Sequence, residues 1–79
     1  MKKQFYGIYD RIAEKYTFVF ESENGKTATR LFQNEQMRDG SILKESPEDF
    51  KLWHLSEFDD ETGEFKNNLF KLADGKPKE

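Results

Sequence analysis

Apolar residues recur along this chain with two different periods, and the changes of period divide it into elements. Phe5-Tyr6-Gly7-Ile8-Tyr9 is dominated by aromatic and β-branched residues, which predicts a first strand over Gln4 to Asp10. Its bulk falls on both faces, with Phe5 and Tyr9 on one and Tyr6 and Ile8 on the other. Tyr16, Phe18 and Phe20 then alternate with Thr17, Val19 and Glu21, the period of two expected of a second strand. Beyond Ser22-Glu23-Asn24-Gly25 the pattern turns helical. Ala28, Leu31 and Phe32 share a face, and Lys26, Thr29, Arg30 and Gln33 lie away from it, predicting a helix from about Asn24 to Met37. Ser22 or Asn24 is placed to cap its start, Arg38 suits the negative end of its dipole, and Gly40 can supply a left-handed stop.

Ser46-Pro47-Glu48-Asp49 has the order of a helix start, but the extended look of Lys51 to Leu55 limits it to a single turn. A third strand is expected from Leu52 to Phe58 and a fourth from Phe65 to Leu72. Between them Asp59-Asp60-Glu61-Thr62-Gly63 reads as a hairpin loop with Gly63 at positive φ. Asp10 is placed to accept from backbone donors in the turn after the first strand. Residues 1–73 therefore form one domain and 74–79 a flexible polar tail. The order β-β-α-β-β implies an α+β fold: a small, mostly antiparallel sheet with one helix packed on it. A small OB-like barrel is the alternative, if residues 40–44 hide a fifth strand.

Composition narrows the chemistry. Of 79 residues 34% are hydrophobic, and eight Phe stand beside one Val and three Ile, so the core must lean on rings. Phe is expected inside, while Tyr6, Tyr9, Tyr16 and Trp53 are the rings expected at the surface. So small a core is marginal alone, which makes a homodimer the expected state. The absence of cysteine excludes a disulfide staple, a thiolate nucleophile and a thiolate zinc site. The single histidine, His54, shares a strand face with Leu52 and Phe58, the place of a half-buried or rim side chain. The acids Asp59, Asp60, Glu61 and Glu64 lack the alternating spacing of a calcium loop. Gly25-Lys26-Thr27 lacks the upstream glycine of a phosphate cradle. No catalytic residue, metal site or cofactor is therefore expected. No apolar run approaches the roughly 18 residues of a membrane span, and Met-Lys-Lys leads into mixed polar sequence, so a soluble intracellular protein is expected.

Charge redirects the reading. The formal net charge is −3, from 13 basic and 16 acidic residues, but it is unevenly distributed. Residues 1–33 carry six basic and four acidic groups, residues 34–65 three and ten, and residues 66–79 four and two. If the first and fourth strands meet, Lys2, Lys3, Arg11, Lys15, Lys26 and Arg30 gather into one positive area beside Tyr6, Tyr9 and Tyr16. Cations interleaved with rings are what a single strand of nucleic acid needs, because cations follow its phosphates while its bases stack. The competing expectation is a protein–protein adaptor, whose acidic middle segment, with Trp53 nearby, docks a basic replication or capsid protein.

Several blocks are specific in combination. Phe5-Tyr6-Gly7-Ile8-Tyr9-Asp10, Ala13-Glu14-Lys15-Tyr16, Ala28-Thr29-Arg30-Leu31-Phe32 and Pro47-Glu48-Asp49-Phe50 lead in order into Leu52-Trp53-His54-Leu55-Ser56-Glu57-Phe58-Asp59-Asp60-Glu61-Thr62-Gly63. In these blocks the chain resembles the small nonstructural DNA-binding protein of gokushovirus-type microviruses, phages with single-stranded DNA genomes. The resemblance implies a protein of the host cytoplasm that is absent from the capsid. It also implies DNA binding during genome replication, at the switch from duplex replication to single-strand synthesis and packaging. The chain departs from that pattern at Thr17 and Phe18, where prolines are common, at Ser46 and Ser56, and in a short tail after Phe65.

Overall fold

The computed structural model describes residues 2–75. Four strands, β1 (Lys2–Asp10), β2 (Lys15–Ser22), β3 (Phe50–Asp59) and β4 (Glu64–Asp74), form one open antiparallel sheet in the order β2-β1-β3-β4. Two helices lie between β2 and β3, the long α1 (Gly25–Met37) and the one-turn α2 (Ile42–Glu45), followed by a 3-10 turn at Pro47–Asp49. The expected α+β layout is therefore present, and the open edges of β2 and β4 exclude the barrel. Residues 40–44 hold the start of α2 rather than a strand, because Ser41 caps it by accepting from Leu43 N and Leu43 is fully buried. The first and fourth strands do not meet: β1 is an inner strand between β2 and β3.

Local chemistry explains most boundaries. Asn24, not Ser22, caps α1, its side chain accepting from Thr27 N at 2.9 Å. Arg38 pairs with Glu35 one turn before it, and Gly40 takes a φ of 84° three residues after the end of α1. The Asp10 carboxylate accepts from Ile12 N at 2.9 Å and Ala13 N at 3.3 Å, holding the β1–β2 turn as expected. Gly63 sits at φ 79° and closes the β3–β4 hairpin by donating to Asp59 O. Strand β4 continues past Leu72 to Asp74, and Gly75 N donates to Phe50 O at 2.8 Å. Order thus extends two residues beyond the expected boundary at 73, and the rest of the expected tail lies outside the described residues.

The core lies on one side of the sheet. Tyr6 and Ile8 of β1 and Phe50 and Leu52 of β3 pack against Ala28 and Phe32 of α1 and Leu43 of α2, with Phe20, Leu72 and Ala73 at the margin. The division of rings departs from the expectation that Phe is inside and Tyr outside. Tyr6 is buried, whereas Phe18, Phe65 and Phe70 are exposed. Position in the sheet, not ring type, decides this: Tyr6 is on an inner strand on the helix side, Phe18 and Phe70 are on the two edge strands, and Phe65 is opposite Phe58 on the uncovered face.

The other side of the sheet has no helix over it. Register places Phe5, Gly7 and Tyr9 beside Tyr16, Val19, Trp53 and Phe58 there, with Phe65 and Lys71 on β4. Ring contacts join Phe58 to Phe65 at 4.6 Å and Tyr9 to Tyr16 at 5.0 Å between centroids. Gly7 allows close packing on this side, since a Cβ there would lie 2.8 Å from Leu55 Cδ1 and 2.9 Å from Tyr16 Cδ1.

Candidate nucleic-acid interface

A groove runs between α1 and β4 on the helix-bearing side of the sheet. Helix α1 forms one wall with Lys26, Thr29, Arg30, Gln33 and Gln36, and Leu72 of β4 is common to its whole length. Toward one end the opposite wall is Lys66, Asn67, Asn68 and Phe70 over a floor of Tyr6 and His54, and toward the other it is Ala73 and Asp74. Ala28 and Phe32 of α1 are buried in the core, Leu72 and Ala73 of β4 pack at its margin, and the groove follows the seam between the two elements.

His54 is the keystone of the floor. It is 4% exposed rather than at the rim, a correction to the sequence reading that follows from its register opposite Tyr6 on the helix side. Its Nδ1–H donates to the Asn68 carbonyl at 2.7 Å, and Nε2 lies 2.7 Å from the Gln4 side-chain amide. Gln4 Nε2 in turn donates to Glu57 at 2.9 Å. The imidazole stacks on Phe70 with centroids 4.7 Å apart at 11°, and Tyr6 meets it edge-on at 5.3 Å. Phe70 remains 46% exposed, so its ring is supported beneath and open to the groove.

The cations differ in whether they are engaged. Lys26 and Arg30, one turn apart on α1, and Lys66 on β4 form no ion pair with any described residue. Lys2 is tied to Glu57 at 3.4 Å and Arg11 to Asp49 at 2.5 Å. The acidic middle segment is internally engaged to a similar degree: Glu35 pairs with Arg38, Asp39 with Lys44, and Asp49 and Glu57 with the cations just named. The Arg38 side chain lowers the Glu35 pKa, and the Gln4 amide, then Lys2 and Lys66, lower that of Glu57.

The single positive area expected from sequence is divided. Lys26 and Arg30 flank the groove, whereas Lys3, Tyr9 and Tyr16 belong to the opposite, uncovered face of the sheet. Lys15 stands opposite Asp10 at one end of the sheet, Arg11 is bound to the 3-10 turn, and Lys2 lies at the other end beside Asp59. Lys66 and Phe70 were missed by the sequence reading. The exposed Lys66, Asn67 and Asn68 beside Phe70 were their only signal, and they were read as an ordinary strand. Among the described residues no cluster of three or more histidine or carboxylate side chains is arranged to hold a metal ion, and no helix is long and apolar enough to cross a membrane.

An open four-stranded sheet, one covering helix and a groove between α1 and β4 define a small α+β protein. Residues 3–74 match the family described as Phage ORF5 protein, and since this is nearly the whole chain, the protein belongs to that phage family. No curated protein matches it, and no solved structure does.

Proposed function

We propose that this phage protein is a non-enzymatic, single-stranded-DNA-binding accessory factor of microvirus type. On this reading it acts in genome replication, at the switch to single-strand synthesis and packaging in the host cytoplasm. The observation that carries the proposal is the α1–β4 groove, where Lys26 and Arg30 on α1 and Lys66 on β4, the last opposite Glu57, lie along the same seam as the exposed ring of Phe70 and outnumber the carboxylates Glu23 and Glu57 that share its lining. Cations along a groove follow a backbone, and a ring with one free face accepts a base irrespective of sequence. The amides of Asn67, Asn68 and Gln33 line the same path and offer both donors and acceptors to base edges. The competing adaptor reading depends on free carboxylates, and four of those in the middle segment are held in internal ion pairs.

Titration of a fluorescent oligonucleotide tests the proposal. With three phosphate contacts at about 0.7 log units each per decade of salt, a fourfold rise in salt weakens binding roughly 20-fold. Lys26→Glu with Arg30→Glu abolishes binding while the circular dichroism is unchanged. Phe70→Ala loses one stacked base, about 1–3 kcal/mol of binding energy. An absence of binding at low salt refutes the assignment.

A further inference from the structure

We infer that the uncovered face of the sheet is the interface of a homodimer, with a second copy of this chain stacked on it face to face. The groove lies on the opposite side and stays open in such a dimer. Val19 is 60% exposed, Phe65 60% and Leu69 62%, around the half-buried rings of Phe5, Tyr9, Trp53 and Phe58. Four strands about 4.8 Å apart and some ten residues long at about 3.3 Å each give a face of roughly 20 by 30 Å once side chains are included. The apolar part of that face, with Lys3, Glu21, Lys51 and Lys71 around it, is comparable to the largest apolar patch of an ordinary monomer, on the order of 300–600 Å². Two such faces cover about 1,200 Å² in total, the lower end of the range for specific interfaces.

The charges select the occupant. Lys51 and Lys71 share the single carboxylate of Asp74, at 3.6 and 3.1 Å, so the three groups together leave one positive charge. Among the described residues, Lys3 on β1 and Glu21 on the adjacent β2 add one charge of each sign that forms no ion pair with another described residue. A face with both signs and little net charge is suited to itself, since in a two-fold interface each contact is made twice in reverse. Val19, Leu55 and Leu69 offer area but no π-face, which suits a packed sheet better than stacked bases.

Sedimentation equilibrium of the nucleic-acid-free full chain, from about 1 to about 200 μM, tests the interface across the affinity range expected of its size. The expected mass rises with concentration from 9.4 kDa toward twice that value, and Trp53 emission shifts to the blue as the dimer forms. Val19→Lys with Leu69→Lys, both at sites already exposed in the single chain, weakens dimerisation more than tenfold and leaves the circular dichroism unchanged. Phe65→Lys does the same should that pair fail to fold. Leu31→Lys, an equally apolar change on α1, leaves the mass unaltered. A wild-type chain that stays at 9.4 kDa throughout overturns the inference, as does a dimer that survives the face substitutions or one that Leu31→Lys also disrupts. Loss of oligonucleotide binding, rather than of dimer, in the face variants assigns the surface to nucleic acid and overturns it too.

Discussion

His54 links side chains that are far apart in the chain: Gln4 is 50 residues before it and Asn68 fourteen after. Replacing it with Ala removes the ring beneath Phe70 and leaves the Asn68 carbonyl and the Gln4 amide without their partner. The expected loss is about 2–4 kcal/mol, combining a cavity with unsatisfied polar groups, read from urea unfolding. Gly7→Ala costs less, about 1–2 kcal/mol, because Leu55 can turn aside although the Tyr16 ring cannot; the same measurement ranks the two. A His54→Ala chain as stable as wild type contradicts the role given to the ring. Residues whose partners are close in sequence were legible, as Asn24 with Thr27, Asp10 with Ile12, and Gly63 with Asp59 show. His54 was not, since its neighbours in the chain do not reveal Gln4 or Asn68.

At the scale of elements, the β3–β4 hairpin and α1 carry the carboxylates that respond to acid. Hydrogen bonds to Gln4 for Glu57, to the Glu61 and Thr62 backbone for Asp59, to Lys71 for Asp74 and to Arg38 for Glu35 all lower the pKa. A lowered carboxylate pKa contributes stability that is fully present above the unfolded value and is lost as pH falls through the folded one. Melting temperature is therefore expected to hold between about pH 5 and pH 7 and to fall below about pH 4, within and under the ordinary carboxylate range. Gln4→Leu removes the main cause of the Glu57 shift and makes that fall shallower; an unchanged pH profile in this variant contradicts the assignment. Strand positions were legible from alternation, but the ends were not. Phe50, Lys51, Ala73 and Asp74 have no clear period, and they are strand because Lys51 pairs with Asp74 and Leu52 with Ala73 across the hairpin. The β-bulges between Phe5 and Tyr6 and in β4 are products of pairing and leave no local signal.

For the whole molecule, strand order was the missing quantity. The sequence distinguishes which residues alternate, but not which strand neighbours which, and a two-layer fold sends α1 to one side and Tyr9 with Tyr16 to the other. This is why Lys26 and Arg30 were legible as cations yet wrongly joined to the tyrosines. The same order has a consequence for how the protein is made. Strand β1 is completed first and can pair at once with β2, but its second neighbour arrives only with residues 50–59. Until then an inner strand has one bare edge, and joining it to β3 closes a long loop, the slow kind of event in folding. A chain cut after Asp49 is expected to aggregate, because an unpaired, apolar strand edge templates association. Supplying residues 50–75 as a separate peptide should restore a soluble, folded complex, observable by light scattering and circular dichroism. A soluble, folded 1–49 fragment contradicts this. Nascent chains of this protein thus pass through a sticky interval, whose length is the time taken to translate the two helices.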